Sequence, residues 1–427
     1  MHIIQGRVRD YEWGSPSAIP RMFGLPPADF PVAELWFGAH PAAPARIGVG
    51  ARALAINPSD IRDRGHLFSP VSPDSEAGSA VDLRQYIAGD PQGVLGANLV
   101  SGGGDAELPF LLKVIAPAQP LSLQVHPSKA QAERGFAREE QAGIDRAAAH
   151  RAYRDANHKP ELVYAISTFE ALVGFRTPRR ILGVLSGLNT PVTDRIAQQI
   201  RLSPNAHGVR SAFAGLLSVN ERPDAEAVMR VVAACCARDP QVSPSPRADA
   251  LVGKLAQHYP GDPGVVASLL LNPVTLKPGE AMFTPAGTVH AYVAGLGVEI
   301  MANSDNVLRA GMTPKHIDVP ELLSVIETVA APPIRIAPEA LSPVQATYYA
   351  PVDDFELSII SLRNANKRVR LRGSGPRIVL CLEGATELWA DSGEYGLLNT
   401  GQAIFVRADD GGLLARGAGR FVLAGVP

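Results

Sequence analysis

The sequence is poor in cysteine. Only three cysteines occur among 427 residues, Cys235, Cys236 and Cys381, and the first two are adjacent in a segment with helical periodicity. Adjacent cysteines rarely form a disulfide with each other. The sequence therefore predicts a reduced, cytoplasmic protein, and it excludes a metal site built from cysteine.

Long apolar runs and an excess of one charge are also missing. No apolar run approaches the roughly 18 residues of a membrane-spanning helix, and the first ten residues carry charge where a signal peptide needs an apolar stretch. The formal net charge is −2, with no stripe of lysine and arginine. We therefore expect neither a membrane nor a nucleic acid as partner, and the sequence indicates no obligate protein partner.

The length and texture of the chain predict several domains, because 427 residues exceed the size at which one core keeps growing. Short β-like segments fill residues 1–177 and return at 271–330, and a stretch of helical composition runs from Lys129 to Ala156. Residues 178–270 show helical spacing. Residues 331–427 are β-rich again after a proline-rich linker. These patterns predict a mainly β protein: a first β domain (1–177 and 271–330), a helical insertion (178–270) and a C-terminal β domain (331–427).

Several strand-like segments carry side chains that can bind a metal. The segment that ends at His126 alternates, so Ser122, Gln124 and His126 share one face and apolar residues share the other. Glu161 and His290 lie in two other strand-like segments. Four nitrogen and oxygen ligands of this kind can hold one divalent ion.

The segment from Gly279 to His290 matches the second motif of the cupin superfamily: Gly, five residues, Pro, one residue, Gly, two residues, His. Glycine and proline at this spacing form a tight hairpin that places the histidine at the mouth of a small β-barrel. The superfamily pattern has Asn four residues later, where this sequence has Ala294. Gln124 and His126 resemble the paired histidines of the first cupin motif, with Gln in the first position.

This variant of the cupin motifs, with Gln124 in place of the first histidine, resembles the pattern of one family, the type I mannose-6-phosphate isomerases (phosphomannose isomerases). The matching segments are Tyr11–Ser15, Ala33–Pro41, Leu121–Pro127, Asp155–Glu161, Glu299–Gly311 and Met312–Asp318. The helical insertion and the C-terminal domain contain no matching motif. The resemblance implies two cupin (jelly-roll) β-barrels with an α-helical subdomain, and a metal-dependent isomerase that interconverts mannose 6-phosphate and fructose 6-phosphate.

The resemblance also implies one Zn²⁺ per chain, bound by Gln124, His126, Glu161 and His290. Two nitrogen and two oxygen ligands suit a catalytic zinc ion, which keeps an open or exchangeable position. Zinc can act as a Lewis acid on the sugar oxygens while a proton moves between C1 and C2. Because the reaction moves a proton without net oxidation, no nicotinamide is expected.

The remaining site residues are implied in the same way. Arg309 would lie beside the developing enediol, and the residues expected to bind the phosphorylated substrate are Lys315, Ser122 and Tyr292. Lys159 alternates onto the same face as Glu161, which would place it near the metal. The sequence leaves the proton-transfer group open among Lys159, His158, Glu299 and a metal-bound water.

Two other functions remain open from the sequence. A cupin dioxygenase could bind iron through the same ligands, although Arg309 and Lys315 favour a phosphate ester as substrate. A non-catalytic sugar-phosphate sensor would normally carry a DNA-binding or other output module, and none is recognisable in the sequence.

Overall fold

Antiparallel sheets and helices form the part of the chain that the computed structural model describes, residues 1–47, 81–100 and 106–427. The strands before residue 330 are β1 (His2–Gln5), β2 (Arg7–Arg9), β3 (Glu34–Gly38), β4 (Arg46–Ile47), β5 (Val81–Asp82), β6 (Phe110–Ile115), β7 (Leu123–Val125), β8 (Glu161–Ala165), β9 (Phe169–Phe175), β10 (Leu271–Leu276), β11 (Ala281–Thr284), β12 (His290–Ala294), β13 (Gly297–Ala302) and β14 (Leu308–Gly311). The later strands are β15 (Ile334–Ile336), β16 (Glu339–Ser342), β17 (Gln345–Tyr349), β18 (Glu356–Leu362), β19 (Val369–Leu371), β20 (Arg377–Ala390), β21 (Tyr395–Asn399), β22 (Ala403–Val406) and β23 (Leu413–Gly425).

Six of the twelve helices in the described residues lie between β9 and β10. The twelve helices are α1 (Ala18–Met22), α2 (Leu83–Gly89), α3 (Pro91–Leu95), α4 (Ala97–Val100), α5 (Lys129–Gln141), α6 (Pro178–Leu185), α7 (Pro191–Leu202), α8 (Ala206–Leu217), α9 (Ala225–Ala237), α10 (Pro246–His258), α11 (Pro263–Ala267) and α12 (Val319–Val325). Short 3₁₀ turns follow at Ser268–Leu270 and Ala408–Asp410. No helix in the described ranges is long and apolar enough to cross a membrane.

The strands of the described residues form three antiparallel sheets. A seven-stranded sheet has the order β15-β11-β8-β13-β6-β3-β2, and a five-stranded sheet has the order β10-β9-β12-β7-β14. The third, eleven-stranded sheet runs β16-β17-β18-β23-β20-β22-β1-β4-β5, with β19 paired to β23 and β21 paired to β20. The mainly β architecture with a helical insertion is therefore confirmed.

The seven- and five-stranded sheets pack face to face. Ile115 and Val163 of the first sheet share one buried cluster with Ala171, Val173 and Tyr292 of the second. The opposite face of the five-stranded sheet packs on helices α6–α12. The opposite face of the seven-stranded sheet packs on the eleven-stranded sheet. Residues at alternate positions of these strands therefore enter either an apolar core or the space between the two facing sheets.

The two β-rich parts of the chain exchange strands. β1 pairs with β22, with Ile4 opposite Ala403, and β15 pairs with β11, with Ile334 opposite Phe283. The prediction of a linker after residue 330 is therefore wrong, because residues 334–336 form a strand of the seven-stranded sheet and β16 follows at once. The division of the chain into domains stays a prediction.

The helix predicted from Lys129 to Ala156 is shorter than expected. It ends at Gln141, and Gly143 follows with a φ of 67°. Glycine adopts this left-handed conformation without the steric cost of a Cβ atom, so it commonly ends a helix. The prediction is therefore wrong beyond residue 141, and the chain between α5 and β8 forms turns that lead to the candidate site.

Candidate metal and substrate site

Three adjacent strands of the five-stranded sheet place Gln124, His290 and Arg309 side by side. Gln124 in β7 pairs with His290 in β12 on one side and with Arg309 in β14 on the other. Directly paired residues of antiparallel strands point to the same face. Leu123 and Val125, the neighbours of Gln124, are buried in the core beneath the helices, so Gln124 belongs to the opposite face, toward the seven-stranded sheet.

The predicted alternation is confirmed for Leu123 to Val125 but fails at Leu121. The strand begins only at Leu123, and Leu121 packs against the cluster between the facing sheets. Leu121 and Ser122 consequently line the same cleft. The expected opposite orientation of these two residues is wrong because regular strand geometry does not extend to them.

Glu161, at the start of β8 in the seven-stranded sheet, meets two histidines. Its Oε1 lies 3.2 Å from Nε2 of His126, and its Oε2 lies 3.2 Å from Nε2 of His290. One ligand atom from each of the three residues falls within 4.8 Å of the others, and all three residues are buried. The structure thus brings these three predicted ligands together from separate strands and loops.

Hydrogen bonds fix the orientation of both imidazole rings. Nδ1 of His126 donates to the main-chain oxygen of Asn306 at 2.8 Å, and Nδ1 of His290 donates to that of Thr288 at 2.9 Å. A carbonyl oxygen only accepts, so the proton lies on Nδ1 and the lone pair on Nε2. Burial, with the charge of Lys159, lowers the pKa of His126 to about 4 and keeps its ring neutral at pH 7.

Nε2 of His126 is buried, and no described residue forms a hydrogen bond with it. Two lone pairs and a carboxylate therefore face one another, and a cation between them satisfies all three. The side-chain nitrogen of Gln124 lies 3.4 Å from Nε2 of His290, and rotation of the amide by 180° presents its oxygen instead. This set of two nitrogen and two oxygen donors fits a zinc ion.

A cleft of about 1220 Å³ opens beside these residues, between the facing sheets. The sequence-predicted residues that line it are Ser122, Gln124, Lys159, Glu161, Tyr292, Glu299, Arg309 and Lys315. Lys159 is 8% exposed, and its Nζ lies 3.1 Å from Oε1 of Glu161. This position agrees with the prediction that Lys159 and Glu161 share a face.

His158 is placed differently. Its Nε2 lies 2.9 Å from a carboxylate oxygen of Asp354, which precedes β18 in the C-terminal part of the chain. His158 is not among the described residues that line the cleft. The structure therefore does not bring His158 together with the other candidates for proton transfer.

Tyr292, which was expected to bind the phosphorylated substrate, lies at the metal-binding end of the cleft. It is 1% exposed, and its hydroxyl donates to Oε2 of Glu161 at 3.5 Å. Burial and the carboxylates of Glu299 and Glu161 raise its pKa well above the usual value, so the hydroxyl stays protonated. The structure thus places Tyr292 beside Glu161, and its role in substrate binding stays a prediction.

Sequence reasoning missed a buried ionic cluster that is centred on Lys113. Its Nζ lies 2.9 Å from Oε2 of Glu299 and 3.8 Å from Oε1 of Glu34. Burial opposes the charge on Lys113, but these two carboxylates raise its pKa above the usual value. Burial and the nearby Glu161 raise the pKa of Glu299, while Lys113 opposes this shift. The available signal was a single lysine in the middle of an otherwise apolar strand.

Known proteins match this chain over nearly its whole length. The family profile described as "Phosphomannose isomerase type I, catalytic domain" matches residues 69–178. Mannose-6-phosphate isomerase of Escherichia coli (strain K12) is 36% identical over 426 residues, which cover 98% of each chain. The Bos taurus enzyme of that name is 32% identical and covers 94% of this chain and 92% of its own.

The structural comparison agrees. The crystal structure of mannose 6-phosphate isomerase from Salmonella typhimurium, bound to the substrate fructose 6-phosphate and zinc, superposes with a TM-score of 0.83 and 35% identity. The match covers 100% of this chain and 99% of that one. The facing sheets and the histidine–carboxylate group define a cupin-fold protein with a metal site. Within that class, this chain belongs to the type I mannose-6-phosphate isomerase family.

Proposed function

We propose that this protein is a zinc-dependent isomerase that interconverts mannose 6-phosphate and fructose 6-phosphate. The observation that supports it best is the convergence of Nε2 of His126, Nε2 of His290 and the carboxylate of Glu161 beside a cleft. The lining of this cleft includes the predicted cations Arg309 and Lys315. A metal-binding end suits the sugar oxygens, and cations suit a phosphate dianion. The substrate we propose is therefore a small phosphorylated sugar.

Zinc bound by Gln124, His126, Glu161 and His290 would supply Lewis-acid polarisation of the sugar oxygens. Arg309 in β14 is paired directly with Gln124 in β7. Its guanidinium can therefore stabilise negative charge that develops on the sugar bound at the metal. Burial and the nearby Arg154 lower its pKa from the usual value of an arginine, and it remains a cation at pH 7. Lys315 and Ser122 line the same cleft and can bind phosphate oxygens.

We assign the transfer of the carbon-bound proton to Lys159 and Glu299. They are the two side chains that the sequence left open for this role and that line the cleft. In the forward direction a proton leaves C2 of the aldose and a proton is delivered to C1 of the ketose, so one group can serve as base and acid in turn. The raised pKa of Glu299, caused mainly by burial, brings this carboxyl closer to the pKa that such exchange needs.

The deciding experiment is a coupled assay for fructose 6-phosphate formed from mannose 6-phosphate. The purified protein is assayed before chelation, after chelation and after zinc is restored. Activity that vanishes and returns supports both the reaction and the metal. Oxygen consumption by the iron-loaded protein without isomerisation would instead indicate a dioxygenase, and tight binding of the sugar phosphate without turnover would indicate a sensor.

The two proton-transfer candidates can be separated with mannose 6-phosphate deuterated at C2. Lys159→Ala or Glu299→Gln should abolish release of deuterium to solvent if the substituted group is the base. The variant of the other residue should retain exchange at a reduced rate. Unchanged exchange in both variants would rule out this assignment.

A further inference from the structure

Arg154 is a further cation at the cleft, in a position that sequence motifs did not indicate. Arg154, Arg309 and Lys315 all line the cleft. Within the described residues, none of these three side chains takes part in a hydrogen bond or a salt bridge. An acidic group near Arg154 is Asp305, whose carboxylate lies 3.4 Å from Nε2 of His40. Burial raises the pKa of Asp305, but His40 lowers it, and the charge of Arg154 lowers it further.

The three cations are close enough to affect one another. Burial is the main cause that lowers the pKa values of Arg309 and Lys315, and the charge of Arg154 lowers both further. Arg309 also lowers the pKa of Lys315. A cluster of unpaired like charges raises the free energy of the empty cleft, and a bound dianion would offset this repulsion.

The main chain that carries Arg154 is held by two buried side chains. Glu139 accepts hydrogen bonds from the N–H groups of residues 152 and 153, at 3.1 and 2.8 Å. Oδ1 of Asn306 accepts from the N–H groups of Arg154 and Asp155, at 2.7 and 3.3 Å. Asn306 is fully buried at 0% exposure. The backbone is therefore fixed without help from the Arg154 guanidinium, which stays free for a ligand.

Building on the proposed isomerase function, we propose that Arg154 binds the phosphate group of the substrate together with Lys315, while Arg309 remains beside the sugar carbons. A guanidinium can donate two parallel hydrogen bonds to phosphate oxygens, which gives orientation as well as affinity. Arg154 and Lys315 are exposed, while Arg309 is half-buried and adjoins Gln124 in the sheet. The phosphate would thus lie at the cleft mouth and the sugar carbons would lie nearer the metal ligands.

The test compares Arg154→Ala and Arg154→Lys with Arg179→Ala, which removes an exposed arginine on α6 outside the cleft. The measurements are kcat and KM for mannose 6-phosphate and the inhibition constant of inorganic phosphate. Arg154→Ala should raise KM and the phosphate inhibition constant about tenfold, the size of one charge-assisted hydrogen bond. Its kcat should stay within about twofold. Arg154→Lys should recover part of the affinity, and Arg179→Ala should match the parent protein.

The proposal for Arg154 can fail separately from the proposed function. An Arg154→Ala protein with parental KM and phosphate inhibition constant would overturn it and leave the isomerase assignment intact. A parent protein that does not isomerise mannose 6-phosphate would overturn the proposed function. In that case calorimetric titration with inorganic phosphate still decides the role of Arg154, since an equal Kd for the parent and Arg154→Ala proteins would refute it.

Discussion

The main-chain oxygen of Asn306 accepts a 2.8 Å hydrogen bond from Nδ1 of His126. The side chain of the same asparagine binds the loop that leads to Lys159, where Nδ2 donates to the main-chain oxygens of Asp155 and Asn157 at 2.7 and 2.8 Å. One buried residue therefore links a metal-binding histidine to the loop that carries Arg154 and Lys159. The two functions of Asn306 use different atoms, so substitution can separate them.

We expect Asn306→Ala to loosen the loop while the metal stays bound. The bond to His126 uses the main chain and survives, but the N–H groups of Arg154 and Asp155 lose their acceptor. Loss of buried hydrogen-bond partners should lower the free energy of unfolding by about 1–3 kcal/mol, and KM for mannose 6-phosphate should rise. Urea unfolding, kinetics and zinc content measure the three effects, with the exposed Asn366→Ala as control. Loss of zinc from Asn306→Ala would show that the side chain also supports His126.

His290→Ala should remove the metal and the activity together. His290 is 0% exposed and supplies one of the converging Nε2 atoms, so its loss leaves too few ligands for tight binding. Zinc content should fall from one per chain to less than about a tenth of that, and the circular dichroism spectrum should stay close to that of the parent. His207→Ala, on the exposed side of α8, is the matched control. Full activity in His290→Ala would refute the assigned site.

Two glycines inside helices should respond oppositely to alanine. A Cβ at Gly135 in α5 would lie 2.4 Å from the ring of Tyr153, which is buried and bonded through its hydroxyl to Glu321 at 2.6 Å. Gly135→Ala should therefore lower the free energy of unfolding by about 1–3 kcal/mol. At Gly183 in α6, no described atom lies within 4 Å of the added Cβ. Gly183→Ala should therefore raise the free energy of unfolding by about 0.5–1 kcal/mol.

Urea-unfolding midpoints of the two glycine variants give this comparison directly. Equal shifts of the same sign would mean that helix propensity outweighs the contact with Tyr153. Because Tyr153 precedes Arg154, Gly135→Ala should also raise KM for mannose 6-phosphate, whereas Gly183→Ala should leave it unchanged.

The cysteines should differ sharply in reactivity. Burial raises the pKa of the Cys235 thiol to about 12 and that of Cys381 to about 11, and each residue is 1% exposed. Cys236 is exposed. Because the thiolate is the reactive form, a disulfide reagent at pH 8 should titrate one thiol in the folded protein and three after unfolding. Cys236→Ser should remove the fast reaction, and a second fast thiol would contradict this expectation.

The sequence predicted features that depend on local residue patterns. The spacing from Gly279 to His290 identified His290, which meets His126 and Glu161 in the structure. The tight hairpin predicted from the same spacing is wrong, because β11 pairs with β8 and β15 while β12 pairs with β7 and β9, so this segment crosses from the seven-stranded sheet to the five-stranded sheet. The ligand set followed from resemblance to one family, and the structure brings His126, Glu161 and His290 together. Such patterns are recognisable because a tight turn or a buried strand requires particular residue types over a short stretch of chain.

Features that depend on pairing between distant strands were not predictable. Lys113 meets Glu299 only because β6 and β13 are adjacent in a particular register, and neither residue identity nor local spacing specifies that register. Arg154 stood outside every motif, and His158 lay inside one but pairs with Asp354 in another part of the chain. Tertiary packing determines which residues Lys113, Arg154 and His158 contact, so local sequence patterns did not reveal these partners.

The pairing of β1 with β22 constrains how the chain acquires its structure during translation. His2 lies opposite Phe405, so the first strand must wait for residues about 400 positions later. At about 5–20 residues per second, that interval is roughly 20–80 s. During it, the exposed edge of β1 could pair with another nascent chain, which makes early assistance by a chaperone valuable for this protein. Slow translation of any part of the message between these two strands lengthens this interval and should therefore increase aggregation.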